Sequence, residues 1–304
     1  MALIESKQPS EVKVVTKVII PVAGLGTRFL PASKSIPKEM VTIVDKPAIH
    51  YVVNEAIAAG AKTIILVTNS SKDCIENYFD RNNELENALK SKGKYDLLDE
   101  VNKIIPDYVS VVSVRQHSPS GLGNAVLCAK DIVGNEPFMV MLPDMLINST
   151  SPMVNMVKSF KENGYPTIMV NEVPKEKINQ YGIIESKSPK VPNSVMGVFS
   201  IVEKPELNSI DSNLAIVGRY VFPSSIMKHL QRIKPDASGE YQLTDAIKLL
   251  RNDVYINAFL IEKDKKVFDC GDKLGYLDAV LNIGLDHPKL GDEFKNLIKK
   301  LDLN

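Results

Sequence analysis

Between Lys17 and Met40 the chain reads KVIIPVAGLGTRFLPASKSIPKEM, a stretch that sets Arg28, Lys34 and Lys38 beside Gly24 and Gly26. These residue types suit a polyphosphate. Glycine lets the backbone approach a ligand without a Cβ in the way. Successive loop N–H groups form an anion-binding concavity, and guanidinium or ammonium groups neutralise phosphate oxygens. Two aspartates follow later apolar runs: Asp144 in LPD and Asp269 in VFDCG. A carboxylate just beyond a strand suits a hard cation such as Mg²⁺, which takes one or two carboxylates plus phosphate oxygens. Alone, such an aspartate is as often a turn former or a helix cap. Glu203-Lys204-Pro205 joins a hydrogen-bond acceptor to a mobile point charge, although an isolated EKP reads as the end of a surface strand. His50, His117, His229 and His287 all lie outside these stretches. Cys270 has no histidine nearby in sequence to activate its thiol.

The elements that must position these groups follow from hydrophobic patterning. Val18 to Val22 is a buried strand that empties into the glycine loop. Pro47 suits the first turn of a helix whose apolar face is Ile49, Val52, Val53, Ala56 and Ile57, closed by Gly60. Thr63 to Thr68 is a second buried strand, with Ser70 or Ser71 available to cap the next helix. Strand, helix, strand, helix in this order predicts a parallel sheet with right-handed crossovers. The polar stretch from Asp80 to Pro106 predicts one or two surface helices. Val109 to Arg115 is a third strand, followed by Gln116, the loop HSPSGLGNA and helix-spaced Leu122, Ala125, Val126 and Ala129. Phe138 to Leu142 is a fourth. A helix over Ser151 to Asn163 leads to a strand at Thr167 to Val170, then to Tyr181-Gly182 and a loop rich in Pro and Ser. Ser212 to Phe222 is a strand, Leu243 to Leu250 a helix, and Val267 to Gly271 the end of a last strand.

Two familiar phosphate loops are excluded. No stretch fits GxxxxGK[ST]. The dinucleotide fingerprint fails because Phe29 stands at the third glycine and Pro31 interrupts the expected helix. The acid that should hold a ribose is also missing, since the second strand ends in Asn69.

The 304 residues allow a large single domain or two lobes, and an apolar fraction of 44% with 24% charged residues is that of an ordinary globular protein. Thirty-seven basic residues balance thirty-seven acidic ones, so no global field favours nucleic acid or an anionic membrane. Any anion site must be local. No apolar run approaches the roughly 20 residues that span a bilayer. Residues 1–16 are polar without a signal-peptide core, and are expected to form a loose tail. Three distant cysteines fit neither a disulfide framework nor a zinc site, which suits the cytoplasm.

AGLGTRFLPASKSIPKEM, followed by VDKPAIHYVVNEAIAAG and then by LPD, EKP and VFDCG, resembles the signature of the sugar-1-phosphate nucleotidylyltransferases, in particular the bacterial UTP–glucose-1-phosphate uridylyltransferases. The resemblance runs from about Lys17 to the C-terminal region. It implies a nucleotidyltransferase fold: α/β, a Rossmann-like mixed, mostly parallel sheet flanked by helices, with a smaller sugar-binding lobe and C-terminal helices. Residues 17–290 then form the catalytic domain, with a nucleotide-binding half at 17–150 and a sugar-binding half at 151–290; residues 291–304 form a terminal helix that often supports oligomer contacts in the family. The implied partners are UTP, glucose 1-phosphate, UDP-glucose and pyrophosphate, with Mg²⁺ as cofactor, in a homodimer or homotetramer.

Site residues carry over motif by motif. The resemblance implies that backbone at Ala23, Gly24, Leu25, Gly26 and Thr27 cradles the nucleotide and that Arg28 neutralises the departing pyrophosphate. Lys38 holds the reacting phosphates, and Glu39 makes polar contacts near the nucleoside. Gln116 and the backbone at Gly121 pair with the base, an amide suiting the alternating groups of an imide edge. Gly182, Glu203, Val217 and Gly218 surround the hexose, while Lys204 bridges the sugar phosphate and the α-phosphate. Asp144 is the metal ligand and Asp269 its partner. Thr244 and Asp245 match a family motif but read as structural. Such chemistry needs no protein nucleophile, because the sugar phosphate supplies its own anionic oxygen. Two rivals share most of these motifs: an enzyme using dTTP or another hexose 1-phosphate, and a non-catalytic regulatory paralogue. In the latter the GTR stretch is altered, whereas Gly26-Thr27-Arg28 is intact here.

Overall fold

The computed structural model describes residues 14–301. Residues 1–13, most of the expected tail, lie outside that range. The remainder of that segment is not loose: Val15 is fully buried, and the Thr16 carbonyl accepts from the N–H groups of Lys62 and Thr63.

The strands, in chain order, are β1 (Lys17–Pro21), the short pair β2 (Thr42–Ile43) and β3 (Lys46–Pro47), β4 (Thr63–Thr68), β5 (Ser110–Arg115), β6 (Phe138–Met141) and β7 (Met145–Ile147). The later ones are β8 (Thr167–Glu172), β9 (Gly182–Glu185), β10 (Ser194–Gly197), β11 (Ser200–Glu203), β12 (Leu214–Phe222), β13 (Asn257–Leu260) and β14 (Val267–Asp269). Ten of them form one sheet in the order β10-β13-β8-β12-β6-β1-β4-β5, with β9 joining β12 and β11 joining β9. The run β6-β1-β4-β5 is parallel throughout, as is β13-β8. β12 runs antiparallel to both its neighbours and so joins the two parallel groups.

Burial explains the composition of these strands. β6 and β12 are buried at every position; β6 reads as a continuous apolar run, as strands covered on both faces do, and β12 does so except at Gly218 and Arg219. Alternation then assigns each residue to a layer. Val18 and Ile20 pack with the helices Ala48–Ala58 and Ser151–Asn163 on one side, whereas Ile19 packs with Leu122–Cys128 and Leu243–Leu250 on the other. The polar stretch after Asp80 forms two helices, Asn83–Ser91 and Tyr95–Asn102. No helix among the described residues is long and apolar enough to cross a membrane.

Two local expectations are corrected. Neither Ser70 nor Ser71 caps the helix Asp73–Phe79; its N-cap is Lys72, and Ser71 is held by the Asn69 side chain. The Pro- and Ser-rich loop after Ile184 also contains β10 and β11.

Candidate active site

β1 ends at the glycine loop, which folds as three short 3-10 turns, Thr27–Phe29, Ala32–Lys34 and Lys38–Met40. Gly26 has φ +66°, and a Cβ there would stand 3.3 Å from Ser33 Cβ. The Gly26 carbonyl accepts from Ser33 Oγ at 2.7 Å, closing the loop on itself. Asn69, found where a dinucleotide fold would place its ribose acid, donates from Nδ2 to the Ala23 carbonyl at 2.8 Å. It braces the loop instead. Ala23 is buried, while Gly24, Leu25, Thr27 and Arg28 are exposed.

The last turn of the loop presents Lys38 to Asp144, Nζ to Oδ2 at 2.5 Å. Burial works against charge on both, but mutual attraction prevails: Lys38 is held above the ordinary lysine range and Asp144 below the ordinary carboxylate range. Asp144 leads into β7, which pairs antiparallel with β14 so that Asp269 lies opposite Met145. The Cys270 N–H donates to the Asp144 carbonyl at 2.7 Å. This ribbon is what brings together two aspartates 125 positions apart in sequence. Asp269 accepts from the Gly271 N–H at 2.9 Å and from Tyr181 Oη at 3.0 Å. Burial, reinforced by the charge of Asp144, pushes its carboxyl up, against those two donors.

Gly271 shows how closely the charges converge. A Cβ there would stand 2.7 Å from Asp269 Oδ1, 3.4 Å from Asp144 Oδ2 and 3.6 Å from an Arg28 guanidinium nitrogen. Two carboxylates face one small space with a cation at its rim. Among the described residues no group of three or more His, Cys, Asp or Glu side chains encloses a metal. Two hard oxygen donors with room left around them fit Mg²⁺ that completes its shell with phosphate oxygens and water.

These residues open onto a cleft of about 180 Å³ lined by Arg28, Asp144, Asp269, Gly182, Glu203 and Gly218, with Tyr181, Tyr220, Gln242 and Thr244. Gly218 has φ +73°, at a register shift in β12. A Cβ on it would meet Leu142 at 2.7 Å, so only glycine lets β12 pass the LPD segment. Thr244, expected to be structural, lies in the cleft wall, with its hydroxyl oxygen buried and without a hydrogen-bond partner among the described residues.

Five expected site residues sit differently from the rest. Glu39 is 1% exposed and absent from the cleft wall; its Oε2 accepts from Lys72 Nζ at 2.8 Å, and burial pushes its carboxyl up against that attraction. Among the described residues its Oε1 is buried without a hydrogen-bond partner. Val217 is buried in the apolar core, facing a smaller adjoining cavity of about 60 Å³. Lys204 follows Glu203 at the rim with φ +42°, its N–H on the Tyr181 carbonyl and its side chain exposed. Among the described residues its ammonium has no hydrogen bond or ion pair. Gln116 lies beyond β5, buried, with Nε2 donating to the Gly121 carbonyl at 3.2 Å and to Asn124 Oδ1 at 2.9 Å. Gly121, at φ +89°, is docked against Glu240 and Tyr241, where a Cβ would clash at 2.9 Å.

Sequence reasoning missed Arg219, Glu55 and Lys72, all buried and all in ion pairs. Their signal was charge inside an apolar pattern: Arg219 interrupts LAIVGRYVF, and Glu55 shares a helix with the apolar face that begins at Ile49.

A cationic glycine loop and a carboxylate pair at the carboxyl edge of a mixed α/β sheet define a class of proteins that handle nucleotide phosphates. Residues 17–284 match the nucleotidyl transferase family, and the chain belongs to it. It is 48% identical over 292 residues to the UTP–glucose-1-phosphate uridylyltransferase of Haemophilus influenzae, covering 94% of this chain and 98% of the relative. Identity to the Escherichia coli K12 uridylyltransferase is 46% over 288 residues, 92% and 94% of the two chains. The UTP-bound UGPase of Acinetobacter baumannii superposes with a TM-score of 0.88 at 51% identity, covering 94% of this chain and 99% of that one. A UDP-glucose pyrophosphorylase complexed with UDP-glucose gives 0.77 at 36% identity, covering 88% and 97%.

Proposed function

We propose that the protein is a UTP–glucose-1-phosphate uridylyltransferase, converting UTP and α-D-glucose 1-phosphate into UDP-glucose and pyrophosphate. The carrying observation is the convergence of Arg28, Asp144 and Asp269, with Lys38 ion-paired to Asp144, in one cleft with Gly182, Glu203 and Gly218. Charged groups suited to phosphates thus share a cleft with polar groups suited to a neutral sugar, in a chain whose full-length relatives are uridylyltransferases.

An oxygen of the sugar phosphate attacks the α-phosphorus of UTP in line with departing pyrophosphate. Both reactants are anions, so the protein's work is alignment and neutralisation. The loop from Ala23 to Thr27 lies along the triphosphate. Arg28, at the cleft rim, faces the β- and γ-phosphates. Lys38 is shared between Asp144 and the reacting phosphates. Gln116 and Gly121 read the uracil edge, and Glu203 with the Gly182 backbone accepts and donates to glucose hydroxyls. Lys204, whose ammonium has no hydrogen bond or ion pair among the described residues, reaches over the rim to the sugar phosphate. Asp144 and Asp269 are the residues that would hold Mg²⁺. A bound Mg²⁺ supplies charge neutralisation between the α-phosphate and the leaving group.

We assign residues 17–150, which carry the glycine loop, Lys38 and Asp144, to the nucleotide half, and 151–290, which carry Gly182, Glu203 and Gly218, to the sugar half. Residues 291–304 are assigned as a terminal segment built on the helix Gly291–Lys299. Exposed Leu274, Leu277, Leu281, Leu297 and Leu301 support self-association into a homo-oligomer. Free Cys74, Cys128 and Cys270 suit the cytoplasm.

Purified protein with glucose 1-phosphate and Mg²⁺ is expected to release pyrophosphate fastest with UTP when UTP, dTTP, ATP, CTP and GTP are compared. Chelation should abolish release. Fastest release with dTTP would move the protein to the thymidylyl branch. Folded protein that binds UTP but releases nothing would be a regulatory paralogue.

A further inference from the structure

Arg219 is fully buried in the middle of β12, and its guanidinium has five hydrogen bonds. Three run to the Glu55 carboxylate: Nε to both oxygens at 3.1 and 3.2 Å, and Nη2 to Oε2 at 2.7 Å. The others run to backbone. Nη1 donates to the Leu142 carbonyl at 2.8 Å and Nη2 to the Met145 carbonyl at 2.7 Å. Those carbonyls bracket Pro143 and Asp144. The same turn is held by the Gly218 carbonyl, which accepts from the Leu142 N–H at 2.9 Å, and by the Cys270 N–H on the Asp144 carbonyl. The irregularity in β12 falls between Ile216 and Tyr220, spanning Gly218 and Arg219. Such irregularities re-aim a side chain near a site.

A buried ion pair is weak as a source of stability, because desolvation consumes most of the attraction, and apolar replacements of similar volume are often neutral or stabilising. What an apolar pair cannot do is donate to two carbonyls at once. We propose that Arg219, fixed by Glu55, is a positioning residue for the Asp144 carboxylate: the guanidinium clamps both ends of the Leu142–Met145 turn and sets the site's affinity for a divalent cation. This rests on the assignment of Asp144 as a ligand under the proposed function.

The test compares full-length wild type with Arg219→Lys and with the volume-conserving Arg219→Met/Glu55→Leu double variant. Three properties are read: thermal midpoint, Mn²⁺ dissociation constant from the free-ion electron paramagnetic resonance signal, and kcat with KM for both substrates. The double variant, which takes the donors from the Leu142 and Met145 carbonyls, should fold with a midpoint no higher than wild type and bind Mn²⁺ about 10–100-fold more weakly, the usual cost of losing a residue that supports a metal ligand. Its kcat should fall by a similar factor. Arg219→Lys keeps Glu55 paired but lacks the fork that reaches both carbonyls, and should show the same direction of loss. It carries the test if the double variant does not fold. Wild-type Mn²⁺ affinity and kcat in either folded variant would overturn the proposal. Should wild type bind Mn²⁺ but make no UDP-glucose, the functional reading fails while the Mn²⁺ comparison still decides the clamp.

Discussion

Asp144→Asn is expected to lower turnover by at least about 10²–10³, the loss that follows removal of one well-aimed polar group from an active site. The amide would keep the shape of the side chain and an oxygen near Lys38, so the fold should survive. It would lose the charge that draws Lys38 above its usual range and that, with Asp269, faces the space beside Gly271. Two effects then add. The site loses the carboxylate that stays charged more readily: Lys38 holds Asp144 below the ordinary range against burial, whereas burial and the Asp144 charge push Asp269 above it. Lys38 is also left with a neutral partner where it is now ion-paired at 2.5 Å. The check is steady-state turnover alongside circular dichroism. An Asp144→Asn variant with native spectrum and near-native turnover would remove Asp144 from the mechanism.

Lys204→Ala is expected to cost a similar factor in turnover with almost no change in stability. The side chain is exposed and has no protein partner among the described residues, and exposed substitutions of that kind stay within about 0.5 kcal/mol. The left-handed backbone at φ +42° weighs on alanine as it does on lysine, so it cancels in the comparison. An unpaired ammonium beside Glu203 at a phosphate cleft gains its partner when substrate arrives. The loss should therefore appear in kcat and in KM for glucose 1-phosphate, leaving the unfolding midpoint in place. A shifted midpoint with unchanged kinetics would make Lys204 a structural residue.

Much of this fold was legible because buried strands advertise themselves. β1, β4 and β6 are apolar runs, and the helix Ala48–Ala58 shows its face at Ile49, Val52, Val53 and Ala56. β10 was not legible: it has four residues, partly exposed, set among Pro and Ser, and its order comes from pairing with β13; β11 was visible only at its end, in the reading of EKP as the close of a surface strand. The site divides similarly. Arg28, Lys38, Asp144 and Glu203 stand in motifs that the sequence displays whole. The pairing of Asp144 with Asp269 depends on the β7–β14 ribbon, a non-local contact with no local signature. Arg219 and Glu55 announced only that an apolar pattern contained charge; their partnership spans 164 positions and belongs to the tertiary structure. Glu39 stands inside a strong motif, but its ion pair with Lys72, 33 positions on, has no local signature either.

The central claim is a single in-line displacement at the α-phosphorus, run by alignment and charge with no protein nucleophile. Its most direct test is the stereochemistry of transfer, using one diastereomer of UTP carrying sulfur on the α-phosphorus, with glucose 1-phosphate as acceptor. Inversion at phosphorus in the resulting thio-UDP-glucose is the expected result. Retention would require two displacements and a nucleotidylated enzyme, and would contradict the account.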